Sequence, residues 1–530
     1  MVKFCLVGNV FFCLLLVSVG AQAAECTSVS STAGISTTGW GLDLRNTRYQ
    51  PDSQLNANNI ADLELAWSFG FDSSNSPHSY PLVSTDTVFV GADNGILYAL
   101  DKDTGCLRWS FDADGDIRSA IVAGEMEVEG VPRTLLFFGT FGAQVFAVDA
   151  SNGELVWEQE VDDHAFAMVT GTPAFYEGRL YVPVSAGEVI AAVAPLYGCC
   201  TFRGSLVAVD GATGEQIWKR YVIDEEAKVT ETRWFFIDVK GPSGAPVWQA
   251  PTIDPSRGLI YFATGENYSD PPTDTSDAVF AVNLEDGTVR WHKQFTSGDA
   301  WNAACGAGPL SQNCPKANGP DYDFGAPPIL ARTQLGTDVL LAGQKSGMVF
   351  AMNPDSGELL WQTRTGRGGK LGGIHWGMAV NEREGLLYVP VSDRGTGGEH
   401  ETHDPDPGLH ALSLADGSVR WSMARDHLCA NREGCFPGVS AAVIATEDMI
   451  IAGGLDGQLR AFAGSSGEVL WQDDTWRSFQ SVNDVETTGG AIDVHGPLIV
   501  GDMMFISSGY ASFGQKGGNA FLAYRLKRSR

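Results

Sequence analysis

Two carboxylates one residue apart, Asp321 and Asp323 in the segment PDYDFG, are the side chains best suited to acid–base chemistry in this sequence. A carboxylate framed by aromatic residues can take a proton from a hydroxyl group when its neighbours tune it. Glu188, Glu266 and the amide of Asn267 add hard oxygen donors of the kind that Ca2+ prefers. Lys345, in GQKSGMVFAM, and Arg118, in DGDIRSA, are cationic side chains in turn-like segments. Trp248, in APVWQAP, offers a flat apolar face. Each also has a plain structural reading, as a turn aspartate, a solvated glutamate, an exposed lysine or a core tryptophan. Other chemistries lack their residues. There is no C-x-x-C-H haem site, no zinc spacing, and no hydrolase elbow, P-loop or nicotinamide fingerprint in a strand–turn–helix setting. The stretch GGEHETHDPDPG, with His400 and His403, reads as a solvated acidic loop.

The chain that must position these residues has 530 residues, with 63 glycines and 24 prolines that favour turns over long helices. A hydrophobic content of 44% against 19% charged residues makes it globular rather than disordered. Its net charge of −29 repels phosphate backbones, which argues against nucleic acid as a partner. Residues 1–23 join Lys3 to an apolar run ending at Ala21-Gln22-Ala23, the pattern of a cleavable signal peptide, and no later segment is apolar for the length of a membrane span. The expected product is periplasmic or secreted. Glu25, standing before Cys26, argues against a lipid anchor. Eight cysteines then remain in an oxidising compartment, and proximity suggests Cys305–Cys314 and Cys429–Cys435. The adjacent Cys199-Cys200 either pair with each other, leaving Cys26 with Cys106, or join separate partners.

One pattern, A-x-x-x-x-x-G-x-x-x-W, returns seven times, ending at Trp109, Trp157, Trp218, Trp291, Trp361, Trp421 and Trp471. In each copy an apolar strand meets a polar turn with a glycine free to take positive φ, and the next strand delivers the tryptophan, which predicts a β-hairpin. Intervals of 48 to 73 residues suit four short strands per repeat. The predicted fold is all-β: an eight-bladed propeller of four-stranded antiparallel blades, filling residues 24–530 as one domain. Trp67 in LELAWSF and the strand-like NAFLAYRL near the other end supply the eighth blade and close the ring, which protects the sheet edges.

The repeat resembles the tryptophan-docking motif of the pyrroloquinoline quinone-dependent alcohol dehydrogenases, the quinoproteins. Several further segments resemble their polyvinyl alcohol dehydrogenase branch: WGLDLRNTRYQ, TGTPAFYEGRLYVPVSAGE, YGCCTFRGSLVAVDGATGEQIW, ATGENYSDPP, WNAACGAGPLSQNCPKANGPDYDFGAPPIL and GGIHWGMAV. The resemblance spans nearly the whole mature chain. It implies Asp323 as the general base, with Asp321 second. It implies Glu188, Glu266 or Asn267, and Asp323 as ligands of Ca2+ or another hard cation. For pyrroloquinoline quinone it implies contacts with Arg118, Thr170, Ser185, Lys345 and Trp376, a stacking floor at Trp248, and a cover from a vicinal disulfide, Cys199-Cys200. Members with the primary-alcohol pattern place this pair in an earlier blade, whereas here it stands just before Phe202-Arg203-Gly204, an arrangement that the polyvinyl alcohol branch resembles.

The expected function is oxidation of secondary alcohols such as polyvinyl alcohol to ketones, with a separate cytochrome c as electron acceptor. The rivals are a quinoprotein acting on sugars or polyols, and a non-catalytic propeller resembling the outer-membrane assembly lipoproteins.

Overall fold

The computed structural model of the protein describes residues 26, 29–30, 32–35, 39–233, 236–308, 312–395, 399–423, 429 and 432–527. The expected signal peptide lies outside them. Eight antiparallel sheets follow one another around a ring. In blade 1 the strands run Leu82–Val83, Thr87–Gly91, Ile96–Asp101 and Leu107–Asp112, paired in that order from the innermost outwards. Blades 2 to 7 repeat this arrangement up to Val469–Asp474. Blade 8 is built from both ends of the chain, because Leu63–Gly70 pairs antiparallel with Ala520–Leu526 from Leu63 opposite Leu526 to Gly70 opposite Ala520. Strand interiors are apolar and fully buried, as in VFAV at 279–282 and MIIAG at 449–453, so the core sits between successive blades.

The glycine and the tryptophan of the repeat are two halves of one contact. A tryptophan on the outer strand of one blade packs on the turn glycine of the next. A Cβ added to Gly153 would come within 2.5 Å of the Trp109 ring, and one on Gly357 within 2.7 Å of Trp291. Both glycines have positive φ, +76° and +69°, so the turn and the close approach each require glycine. The indole N–H then donates to the following blade's backbone, as from Trp157 to the Gly211 carbonyl at 2.9 Å and from Trp421 to that of Gly464 at 2.8 Å. The series continues through blade 8, where Trp67 meets Gly105. The last copy ends differently, with Trp471 set edge-on to Tyr524 at 5.6 Å.

The segment Trp40–Gln50 crosses the ring's inner strands, about one blade per residue. The carbonyls of Leu44, Arg45, Thr47 and Arg48 accept from the amides of Ile253, Leu330, Val380 and Ala445, on the inner strands of blades 4, 5, 6 and 7. Gln50 donates to Ile499 of blade 8. The Arg48 guanidinium is fully buried and donates to the carbonyls of Trp40, Val443, His495 and Pro497, which meets the hydrogen-bonding demand of a charge inside the protein. Four disulfides join Cys26–Cys106, Cys199–Cys200, Cys305–Cys314 and Cys429–Cys435. Among the described residues no helix is long and apolar enough to cross a membrane.

Candidate active site

Connections between strands carry most of the expected site residues to one end of the ring. Arg118 precedes the inner strand of blade 2, and Trp248 that of blade 4. Asp321 and Asp323 lie on the long connection from blade 4 to blade 5, Lys345 on a tight turn within blade 5, and Trp376 before blade 6. The Asp323 segment is fixed from both sides, since Phe324 N donates to Thr264 O and Lys345 N to Asp323 O at 2.9 Å. Asp299, buried beneath, accepts from the amides of Asp321 and Tyr322 at 3.2 and 2.9 Å.

At the centre Lys345 Nζ lies 2.9 Å from both Asp321 Oδ1 and Asp323 Oδ2. Asp323 Oδ2 also accepts from the Trp248 indole N–H at 3.1 Å, and its Oδ1 from the Glu266 amide at 3.0 Å. Carboxylate oxygens of Glu266, Asp321 and Asp323 lie within 4.8 Å of one another, all buried. The three carboxyls are tuned apart. Burial works to raise Asp323, but the Lys345 ammonium and the hydrogen bonds from Lys345 and Glu266 hold it below its usual range. Burial pushes Asp321 up to about 8 against the pull of Lys345. Burial and then the charge of Asp323 push Glu266 well above its usual value. Asp323 is therefore the member that stays ionised and able to accept a proton.

Beside the cluster is a cleft lined by Trp40, Arg118, Thr170, Trp248, Trp376 and His495. Arg118 lies 4.4 Å over the Trp376 ring and 5.6 Å from that of Trp248, and Lys345 Nζ is 5.4 Å from the Trp248 ring. Trp248 and Trp376 meet edge to face at 5.4 Å, and His375 stacks on Trp376 at 4.6 Å. Thr170 and Ser185 share a 2.6 Å hydrogen bond at its edge.

The remaining expected residues have protein partners. The Glu188 carboxylate accepts from Tyr197 Oη at 2.6 Å and from the amides of Thr201 and Phe202 at 2.9 and 2.8 Å. Burial opposes its ionisation, but these donors, with His164 3.7 Å away, hold its pKa down. Asn267 donates to Ser243 O, and its amide oxygen accepts from the Thr273 amide at 2.7 Å, so it fastens a turn. The Cys199–Cys200 pair packs among Phe202, Tyr268 and Ala304, beside Asn302. The structure thus gathers Glu266, Asp321 and Asp323 and leaves Glu188 and Asn267 with protein partners. Sequence reasoning missed Trp40, His495 and Asp299. Trp40 stands in the WGLDLRNTRYQ segment, whereas nothing in the spacing marks the other two.

Gly265 makes room for Asp323, since a Cβ there would come within 2.8 Å of its Cγ and Oδ1. Gly265→Ala is expected to displace Asp323 and lower kcat by about 10²-fold, the cost of misplacing a reacting group by ~1 Å. The circular-dichroism melting curve should stay close to that of the parent, and steady-state kinetics with reconstituted protein checks the prediction.

Residues 38–367 match the family described as "PQQ: Glucose/ethanol/alcohol dehydrogenase, beta-propeller domain", and residues 372–523 match "Outer membrane protein assembly factor BamB". A polyvinylalcohol dehydrogenase of Pseudomonas sp is 37% identical, over 89% of this chain and 73% of the relative. One from Sphingopyxis sp. (strain 113P3) is 35% identical, over 94% and 76%. The crystal structure of the quinohemoprotein alcohol dehydrogenase from Comamonas testosteroni shares the fold, with a TM-score of 0.66 and 19% identity over 93% of this chain and 82% of that one. The chain belongs to the pyrroloquinoline quinone-dependent alcohol dehydrogenase family. The carboxylate cluster, Lys345, Arg118 and Trp248 all fall in the part that matches the dehydrogenase description, while the part matching the assembly factor supplies blades and Trp376.

The residues present fit the groups this family implies. Three buried carboxylates face one ammonium, and Glu266 Oε2 is buried with no hydrogen-bond partner, as suits a ligand set for a hard multivalent cation. The cleft is walled by tryptophans, and the buried Arg118 Nε also lacks a partner, which suits a planar cofactor bearing carboxylates.

Proposed function

We propose that the protein oxidises secondary alcohol groups, those along polyvinyl alcohol included, to ketones in the periplasm, and that a separate cytochrome c takes the electrons. Asp323 carries this reading. It is a buried carboxylate kept ionised, with both oxygens held by Glu266 N, Lys345 Nζ and Trp248 Nε1, beside a cleft with tryptophan walls. The 35–37% identity to polyvinylalcohol dehydrogenases points to the substrate.

In this reading Glu266, Asp321 and Asp323 hold the cation. Arg118, Thr170, Trp248, Lys345 and Trp376 hold the cofactor, with Ser185 orienting the Thr170 hydroxyl. When bound, the quinone supplies a two-electron acceptor for the hydride on the alcohol carbon, and the cation supplies Lewis acidity. Asp323 accepts the hydroxyl proton as that hydride leaves. Lys345 balances the charge of Asp321 and Asp323 and presents positive charge toward the cleft. Trp248 orients Asp323 through its N–H, and burial of the cluster keeps competing water away from the base.

The test is reconstitution of the purified protein with pyrroloquinoline quinone and Ca2+, followed by dye reduction with polyvinyl alcohol, small secondary alcohols and sugars. Reduction that depends on both cofactor and cation, and is fastest with secondary alcohols, is the expected result. Preference for sugars would shift the substrate class. Failure to bind the cofactor would overturn the reading and favour a scaffold, as the assembly-factor match at residues 372–523 would then suggest.

A further inference from the structure

Residues 189–202 contain no charged side chain, in a protein whose net charge is −29. They begin in the short helix Glu188–Ala191 and continue as successive turns, with Val193 N donating to Ile190 O, Ala194 N to Ala191 O and Tyr197 N to Ala194 O, each at 3.1 Å. This stretch turns Ile190 and Leu196 outward, 60% and 69% exposed. Next to it the hairpin Lys228–Arg233 with Ile237–Gly241 presents Phe236, 71% exposed. Large apolar side chains exposed together mark a binding surface more often than scattered single ones do.

Asn313 ties the two pieces together and to the site. Its buried side chain donates to the carbonyls of Ala192 and Tyr197 at 3.0 and 2.9 Å and accepts from Arg233 at 3.5 Å. Asn313 lies on the same connection as Asp321 and Asp323. On the other side Tyr268, two residues after Glu266, donates its hydroxyl to Ala186 O at 3.3 Å. The connection that carries Asp321 and Asp323, and the strand that follows Glu266, therefore both brace the apolar stretch.

We propose that Ile190, Leu196 and Phe236 form a ledge for the methylene backbone of a polymeric alcohol, holding the chain while one of its hydroxyls reaches Asp323. The inference rests on the functional reading above. An uncharged polymer of alternating CH2 and CHOH groups buries apolar surface without needing an ion pair. A basic protein acceptor would be steered to this acidic molecule by negative charge, which residues 189–202 lack and which the hairpin 228–241 offers only as Glu231 and Asp238 beside Lys228, Arg233 and Lys240.

The test is the full-length triple variant Ile190→Ser, Leu196→Ser, Phe236→Ser, with Leu196→Asp as a single-site check, because exposed positions tolerate polar replacements. Polymer binding is read on the cofactor-free protein by its retardation in native gels cast with polyvinyl alcohol, and kinetics are read on the reconstituted enzyme with the polymer and with propan-2-ol. Polymer affinity is expected to fall about tenfold, ~1.4 kcal/mol. KM for the polymer should rise by the same factor, with kcat/KM for propan-2-ol unchanged. Unchanged retardation and polymer KM would overturn the ledge. So would a variant that keeps its polymer KM but loses rate only with a protein acceptor, since the surface would then serve the acceptor. If the parent protein oxidises no alcohol while the polymer still binds through these residues, the functional reading fails and the ledge stands.

Discussion

Asp323→Asn is expected to lower kcat by about 10²–10⁴-fold, the range lost with a general base, while affinity for pyrroloquinoline quinone changes little. Asp323 accepts on both oxygens, from the Glu266 amide on one side and from Lys345 and Trp248 on the other. An asparagine can satisfy one side only. Its NH2 group must face donors on the other, so the variant loses the base and also disturbs the Lys345–Trp248 contact. The cleft residues Arg118, Thr170 and Trp376 make no contact with that carboxylate and should still bind the cofactor, which titration by tryptophan quenching would show. Asp321→Asn is the control. Asp321 pairs with Lys345 through one oxygen, and burial pushes its carboxyl up to about 8. An amide keeps an oxygen for Lys345 and for a cation, so a smaller loss of about tenfold is expected there. A larger loss at Asp321 than at Asp323 would transfer the role of base.

The contrast between these two aspartates shows what was legible in the chain and what was not. The propeller could be read because each blade repeats the same contact, so Gly and Trp recur at a fixed spacing even though the intervals between copies vary. The sequence motif is the interlock itself: Trp109 on Gly153, Trp291 on Gly357, Trp421 on Gly467. The site has no such period. Glu266, Asp321 and Lys345 meet because connections from blades 4 and 5 converge, and Asp299 supports them from a position whose spacing to Asp321 carries no signal. Resemblance to a family pointed to these segments, yet it could not show that Glu188 would accept from Tyr197, Thr201 and Phe202, because local backbone geometry decides that. The vicinal disulfide is similar. Cysteine counting left its pairing open and the resemblance implied it, but its place beside Tyr268 and Asn302 is set by the packing of the surrounding chain.

Lys345→Met should have the largest effect on stability, because it removes the ammonium that faces Asp321 and Asp323 and leaves three buried carboxyls without a matching charge. Breaking a buried pair by deleting one partner costs about 3–5 kcal/mol. The size should depend on pH in a definite sense. Burial already raises Asp321 and Glu266, and losing Lys345 raises them further. A carboxyl whose folded pKa lies above its unfolded value binds its proton more tightly when folded, so stability falls as pH rises from about 4, the unfolded value, toward and beyond 8. The variant should therefore unfold closer to the parent at pH 5 than at pH 8. A hard cation replaces the missing charge, so millimolar Ca2+ should restore more stability to the variant than to the parent, and most at the higher pH. Urea unfolding of cofactor-free protein at the two pH values, with and without Ca2+, gives all four comparisons. Equal loss at both pH values with no response to the cation would mean that Lys345 acts by packing and that the three carboxyls are not a cation site. Full recovery of stability with turnover still about 10²–10³-fold low would separate its structural charge from the positive potential it directs into the cleft.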